Sequence, residues 1–172
     1  MEHLVNVILK KGTRLFYLLW FFYLGACVSV EIKTPPITKS DGYEIKAPTK
    51  PFIKHGSNIV DQIWKNPNNG NAISVLTECS KNADPSLQNI ENGILNGLKE
   101  VQYLSNEMKP LADRMALISH VTGKVDGVPS ELKLVTLKKD GCVFIFTFVA
   151  TPDSFAGDLE QFDTLIGSFE TK

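Results

Sequence analysis

The stretch of residues 142–149 constrains the fold more than any other part of this 172-residue chain. Its three phenylalanines, Phe144, Phe146 and Phe148, alternate with mainly apolar residues, so the pattern predicts a β-strand that is apolar on both faces. Such a strand must be covered on both sides. We therefore expect it at the centre of a sheet in a layered fold.

Turn residues delimit further strands on both sides of this stretch. Asp140-Gly141 separates it from an apolar run at 132–137, and Asp-Gly in that position predicts a tight hairpin. The Asn-rich segment 66–71 predicts a second hairpin between strands at 59–64 and 72–79, because Asn and Gly tolerate the left-handed conformations of turns. Two more strands are expected at 101–108 and 115–122, with a loop at 109–113.

Two segments have helical spacing. Residues 85–98 follow Asp84, which is expected to cap the helix, and their leucines and isoleucines form one stripe. Gly93 and Gly97 lie near that stripe, which predicts a close approach of the helix backbone to the sheet. Residues 153–168 carry a second apolar stripe and should cover one side of the sheet.

The N-terminal segment has the parts of a secretory signal in the usual order. Lys10, Lys11 and Arg14 precede an apolar run at 15–24, and then small residues follow. This run of ten residues is shorter than the roughly 20 that a helix needs to cross a bilayer. It ends in Leu24-Gly25-Ala26-Cys27, which resembles the lipobox of bacterial lipoproteins.

The lipobox resemblance implies that residues 1–26 are a signal peptide removed before Cys27, and that Cys27 becomes the lipidated N-terminus. Several acyl chains, such as palmitate, hold a protein durably at a membrane, whereas one chain is marginal. Val28 after the cysteine favours the outer membrane or the periplasmic face of the cell envelope. The alternative is an uncleaved signal anchor in which Cys27 is incidental.

The remaining chain divides into a linker and one domain. Residues 27–51 are rich in proline and polar residues, which predicts a flexible, lipid-anchored linker, although a short strand near 43–45 could already belong to the fold. Residues 52–172 are expected to form a single globular domain, because the chain length corresponds to one core.

The expected order of elements is two or three strands, a helix, four strands and a closing helix. With Phe162-Asp163 and Ser168-Phe169 near the end of the stretch 132–169, this order resembles the PsbP-like fold of a photosystem II extrinsic subunit and of small bacterial lipoproteins. The resemblance implies an α+β fold, namely an α/β/α sandwich around a mainly antiparallel sheet. It also implies a non-enzymatic assembly or binding role, and it carries over no functional residue.

Charge argues against a nucleic-acid partner. The chain has 18 basic and 19 acidic residues, and removal of residues 1–26 takes away three basic residues and one acidic residue, leaving 15 and 18. Neutralising phosphates requires a basic face, which this balance does not supply. The sequence also lacks Cys-x-x-Cys, P-loop and dinucleotide-binding patterns, so no metal and no cofactor are expected.

Two cysteines remain once Cys27 is assigned to the lipid. Cys79 ends one predicted hairpin arm and Cys142 begins another, and export would place both where disulfides persist. A disulfide between them is possible, and two buried thiols are the alternative.

No residue predicts catalysis. His55 lies next to the linker and is interpreted as solvated, and His120 as a strand residue that faces solvent or a polar partner. No nucleophile motif accompanies either histidine. Asp153, Asp158 and Glu160 are interpreted as favourable charges near the start of the last helix.

The sequence therefore favours a membrane-tethered, non-enzymatic module that contacts another envelope protein or helps to assemble an envelope complex. The alternative is a carrier for a small apolar ligand, with Phe144, Phe146, Phe148 and Tyr103 lining its pocket. A third possibility, a hydrolase, would need a cleft that holds His120 beside a nucleophile or a carboxylate with a shifted pKa.

Overall fold

A computed structural model of the chain describes residues 38–80 and 84–171. Within these ranges the chain forms nine strands and two helices. In chain order they are β1 (Tyr43–Glu44), β2 (Ile53–His55), β3 (Gln62–Lys65), β4 (Ala72–Cys79), α1 (Leu87–Leu95), β5 (Lys99–Leu111), β6 (Arg114–Val125), β7 (Val128–Lys139), β8 (Cys142–Ala150), α2 (Pro152–Gly167) and β9 (Glu170–Thr171).

Seven strands form one antiparallel sheet in the order β2-β3-β4-β8-β7-β6-β5, while β1 pairs with β9. The strand β8, which contains the three alternating phenylalanines, lies between β4 and β7. Its central position confirms the expectation drawn from its two apolar faces.

One face of the large sheet carries Phe144, Phe146 and Phe148, and we refer to it as the aromatic face. The helix α2 packs on this face, where Phe162 and Leu165 are fully buried. The ring centroids of Phe148 and Phe162 are 5.9 Å apart. This cluster is the main core of the described domain.

The opposite face is covered by α1 and is referred to as the α1 face. A smaller apolar cluster joins Leu95 of the helix to Val121, Leu132 and Leu134 of the sheet. With one helix on each face of an antiparallel sheet, the α/β/α sandwich predicted from the sequence is confirmed.

The hairpin turns explain where the long strands end. Asp140-Gly141 and Asp126-Gly127 have positive φ at both positions, as a two-residue hairpin turn requires. The loop predicted at 109–113 is shorter than expected, since Ala112 and Asp113 alone form the turn with φ of 47° and 59°. Strand β5 therefore continues to Leu111.

The start of α1 differs from the prediction. Ser86, rather than Asp84, caps the helix, because its hydroxyl accepts a hydrogen bond from the Asn89 backbone N–H at 3.2 Å. A Cβ added at Gly93 or Gly97 would meet nothing within 4 Å, so these glycines do not mark a close approach to the sheet.

The close approach of this region occurs at Gly123 on β6. A Cβ added there would lie 3.0 Å from the backbone oxygen of Lys99 and 3.1 Å from Cδ2 of Leu98. The segment that leaves α1 therefore crosses the sheet where β6 has no side chain.

The folded domain begins earlier than Phe52. Thr38 and Cys79 exchange backbone hydrogen bonds of 3.2 and 2.8 Å, and the Lys46 backbone N–H donates to Ser168 Oγ at 2.7 Å. Pro48 is buried. Residues 38–51 are thus part of the domain rather than a flexible linker, because their backbone groups form hydrogen bonds with β4 and with Ser168, which directly follows α2.

The predicted signal peptide 1–26, Cys27 and the rest of the predicted linker up to residue 37 lie outside the described residues. No helix of the described ranges is long and apolar enough to cross a bilayer.

Candidate functional site

A disulfide joins Cys79 at the end of β4 to Cys142 at the start of β8. The two residues are directly opposite in the register of the strands, with an S–S distance of 2.06 Å and a Cα–Cα distance of 4.0 Å. The bond closes a sequence separation of 63, for which chain entropy gives a stabilisation of about 4 kcal/mol. The bond covalently joins β4 to β8 at the end of the aromatic core where β1 and β9 also pair.

A cleft of about 220 Å³ opens between α2 and the aromatic face of β5, β6 and β7, and we refer to it as the His120 cleft. Apolar side chains and charged or polar side chains both line it. The apolar ones are Ile118, Val135, Phe155, Leu159 and Ile166, and the others are Ser105, Glu107, Lys109, His120, Lys133 and Asp163.

The cleft follows from a change of residue type along the aromatic face. On β8 this face carries phenylalanines, but the paired positions on the next strands towards the sheet edge are Lys133, His120 and Ser105. Of these, only His120 packs a ring against α2, while Lys133 and Ser105 do not bury there as phenylalanines do. A gap therefore remains where the helix passes over β5 to β7.

His120 is held on two sides within the cleft. Its Nε2 lies 2.6 Å from Oε1 of Glu131, and its ring stacks on Phe155 with centroids 4.8 Å apart and planes 11° from parallel. The imidazole is only 28% exposed. Ser105 lies opposite in the strand register but makes no hydrogen bond to this ring in the described structure.

Two ion pairs lie on the rim of the cleft. Lys133 Nζ is 2.7 Å from Asp163 Oδ1, and Lys109 Nζ is 2.5 Å from Glu107 Oε1. Each lysine is thus matched by a carboxylate, so the rim has no strong preference for an anion or a cation. The volume of the cleft, about 220 Å³, lies below the roughly 300–1,000 Å³ typical of small-molecule pockets.

The residues proposed for an apolar ligand pocket are not brought together as one. Phe144, Phe146 and Phe148 are no more than 2% exposed and pack into the core beside Phe162. Tyr103 lies on the α1 face and is 45% exposed. Neither the His120 cleft nor the open depression around Lys39, Tyr43 and Asp61 is lined by any of the four.

A buried carboxylate on the α1 face was not anticipated from the sequence. Glu91 is fully buried, and its carboxylate accepts hydrogen bonds from Tyr103 Oη at 2.9 Å, from Asn106 Nδ2 at 3.1 Å and from the Ser119 hydroxyl. These donors lie on β5 and β6, so the carboxylate ties α1 to the long hairpin. The available signal was the spacing of four residues from Glu91 to Leu95, which places both on one stripe.

The Tyr103 phenol is affected by this arrangement. Partial burial raises its pKa above the ordinary 10.0, and the hydrogen bond to the Glu91 carboxylate and the charge of that carboxylate raise the pKa further. The phenol therefore remains a hydrogen-bond donor to Glu91 over the physiological range.

Asp158 has a different role from the one inferred from its position in the helix. Its Oδ2 accepts hydrogen bonds from the side-chain amides of Asn66, Asn69 and Asn71 at 2.9, 2.8 and 2.7 Å. The residue is largely buried, and it fastens the Asn-rich turn to α2. The interpretation as a helix-dipole charge is therefore corrected to an anchor for the loop.

His55 and the acidic residues were the remaining polar side chains to consider as parts of a site. His55 lies at the exposed end of β2. Among residues 38–80 and 84–171, no group of three or more His, Cys, Asp or Glu side chains is arranged to hold a metal ion.

No protein-family model and no curated protein sequence matches the chain. Solved structures do match. The PsbP protein of the cyanobacterium Synechocystis sp. PCC 6803 has a TM-score of 0.58 at 16% identity, over 87% of this chain and 99% of that one. LpqN, involved in cell envelope biogenesis of Mycobacterium tuberculosis, has a TM-score of 0.56 at 14% identity, over 80% and 91%. These likenesses show that the chain has the PsbP-like fold.

Proposed function

We propose that this chain is an exported, lipid-anchored protein of the cell envelope, and that its domain binds another envelope protein through the His120 cleft without catalysing a reaction. The observation that carries the binding role is the cleft itself. Its apolar floor, balanced ion pairs and volume of about 220 Å³ suit a few inserted side chains of a protein better than a whole drug-sized ligand.

Two independent features support export. The lipobox-like Leu24-Gly25-Ala26-Cys27 supplies a site for a lipid anchor, and the Cys79–Cys142 disulfide belongs to a class of bond that persists in oxidising compartments. LpqN offers an example of this fold in a protein of envelope biogenesis. We place the domain outside the cytoplasm, at the outer membrane or the periplasmic face.

The geometry of His120 favours binding over catalysis. A general base needs a ring nitrogen within reach of the proton that it removes. Here Glu131 engages Nε2 and the flat contact with Phe155 fixes the ring, while Ser105, which lies opposite in the strand register, makes no hydrogen bond to the ring through which it could be activated as a nucleophile. The pair is better suited to holding the wall of the cleft in shape.

A bulky residue at the rim tests this proposal. Asp163 is exposed and lines the cleft, so Asp163→Trp should obstruct it without disturbing the core. The tagged full chain is purified from envelope extracts, and proteins that co-purify in stoichiometric amounts are quantified by mass spectrometry. We expect one such partner with the wild type and at least a tenfold loss with Asp163→Trp.

Two matched variants make the result specific. Thr164→Trp adds the same bulk at the next residue of α2, which is also exposed but does not line the cleft, and it should retain the partner. Asp163→Asn removes only the pair with Lys133 and should cost little. Equal recovery of the partner with Asp163→Trp and Thr164→Trp would contradict binding at the cleft.

A further inference from the structure

Among residues 38–80 and 84–171, the strand β5 lies at one edge of the large sheet, and no strand of these ranges pairs with its outer side. It is 13 residues long, whereas β2 at the other edge has three residues. Leu104, Met108 and the neighbouring Met115 of β6 are each about half exposed. A long open edge with exposed apolar residues is a template for pairing with another strand.

The register shows which backbone groups of β5 point outward. Leu111 and Arg114 flank the two-residue turn and form the hydrogen-bonded pair that closes it. Because hydrogen-bonded and non-hydrogen-bonded pairs alternate in antiparallel sheets, Asn106, Met108 and Pro110 direct their backbone groups away from β6. Only Pro110 of the three lacks an N–H to donate.

We propose that β5 pairs antiparallel with β5 of a second copy of this chain, with Met108 opposite Met108 of the partner subunit. This register is the one in which the edge is complementary to itself. It places Glu107 opposite Lys109 of the partner subunit, and Lys109 opposite Glu107 of the partner subunit. Opposite charges directly across an antiparallel pair stabilise it, and like charges destabilise it.

The backbone bonds also fit this register. Met108 of each copy both donates to and accepts from its counterpart, and the Asn106 N–H of each copy donates to Pro110 of the partner subunit. On the α1 face, Met108 would lie beside its counterpart and near Met115. The exposed Met108 side chains are thus covered together with most of the outward backbone groups, and only the Asn106 C=O of each copy faces a residue without an N–H, Pro110 of the partner subunit.

The rest of the edge limits this association to two copies. Register shifts after Lys99 and after Tyr103 interrupt β5, so regular pairing is confined to about residues 105–111. The two-fold axis lies perpendicular to the sheet, which closes the assembly. It also places two His120 clefts on the same face, with Glu107 and Lys109 of each copy between them.

Disulfide trapping of the full chain, purified from membranes in detergent, tests this contact. Met108→Cys should form a covalent dimer under mild oxidation, because the two residues are expected to face each other across the axis. Ile59→Cys is the matched control, since Ile59 is an apolar residue that is 77% exposed and lies away from β5. We expect trapping of Met108→Cys to be at least ten times faster.

Charge variants test the register. Added to Met108→Cys, Glu107→Lys should slow trapping at least tenfold, because it faces Lys109 of the partner subunit with a like charge. The double change Glu107→Lys with Lys109→Glu should restore trapping, since it exchanges the positions of the two charges on each chain and again places opposite charges across the strand pair. Circular dichroism checks that each variant is folded.

Either of two results on the trapping rates would overturn the dimer. One is trapping of Met108→Cys no faster than Ile59→Cys, and the other is a double change that behaves like the single one. A crosslink from position 108 to a protein of different mass would also overturn it, while the proposed envelope function would stand. Conversely, a dimer that forms while Asp163→Trp retains every co-purifying protein would leave this contact intact and contradict the proposed binding site.

Discussion

The two helices are fixed to the sheet in different ways. On the aromatic face, α2 buries Phe155, Phe162 and Leu165 among the rings of β8. On the α1 face, the nine-residue helix α1 buries only Leu95 and Glu91. One helix is held by apolar area and the other by a small apolar cluster together with a buried polar network.

This difference predicts different sensitivities. A helix as short as α1 is marginal on its own in water and depends on its tertiary contacts. The network around Glu91 supplies those contacts only while each buried donor has its acceptor. The aromatic face should lose stability in proportion to the volume removed, and the α1 face should lose it when hydrogen-bond partners are removed.

The largest effect is expected on the aromatic face. Phe162→Ala should lower the free energy of unfolding by about 3–5 kcal/mol, because Phe162 is fully buried and the cavity cannot close around α2. Urea denaturation of the disulfide-bonded domain measures this change. A loss below about 1 kcal/mol would show that this face is not the main core.

On the α1 face, the expected loss of stability comes from removing a hydrogen-bond acceptor rather than volume. Glu91→Leu keeps a similar volume but leaves the buried Ser119 hydroxyl without its acceptor, so it should cost about 1–3 kcal/mol. Amide hydrogen exchange should increase first in α1. Glu91→Leu with unchanged or higher stability would mean that apolar burial alone holds both helices.

A smaller effect is expected at the crossing of the α1 segment over β6. Gly123→Ala should cost about 1–2 kcal/mol, since the added methyl group would press on the Lys99 backbone oxygen. Gly93→Ala is the control and should stabilise by about 0.5–1 kcal/mol, because its Cβ is free of contacts and alanine favours a helix. Thermal denaturation of both variants measures the two signs, and a stabilising Gly123→Ala would contradict the described crossing.

The smallest effect concerns alkaline pH. Burial raises the pKa of Tyr43, which packs on the aromatic side, and burial and Glu91 raise the pKa of Tyr103 on the other side. A folded-state pKa above the unfolded 10.0 means that the contribution is fully present below pH 10 and is lost as pH rises through the raised values.

Stability measured between pH 9 and 11 should therefore fall less steeply in Tyr43→Phe and in Tyr103→Phe than in the wild type. The pH at which unfolding occurs at a fixed urea concentration is the readout. An identical fall in all three proteins would show that neither phenol titrates differently in the folded state.

Much of the fold could be predicted because apolar periodicity records which surfaces are buried. The alternation in residues 142–149 placed β8 at the centre, and the stripe in 153–168 gave α2 to within one residue at each end. Asp140-Gly141 acts within the turn itself, so this hairpin could be predicted from the local sequence. The Ala112-Asp113 turn has no such signature, so the sequence predicted only a longer loop at 109–113 in its place.

The candidate site was less predictable because it depends on contacts between distant segments. His120 and Glu131 are 11 positions apart and meet only through the register of β6 and β7. The partners of Glu91 and Asp158 likewise come from other elements, and a pattern along one helix shows only that a polar residue lies near the apolar stripe. Phe144 and Phe148 were expected on a covered central strand, with an apolar pocket as the alternative, and the structure places them in the core.

Export, lipid anchoring and the envelope role all depend on the chemistry of the native N-terminus, and an intact-mass measurement on the protein from its own membranes tests them directly. We predict a chain that begins at Cys27, carries acyl groups there, and lacks the two hydrogens that the Cys79–Cys142 bond removes. A product that retains residue 1, with an unmodified Cys27 and free Cys79 and Cys142 thiols, would contradict export, anchoring and the envelope role together.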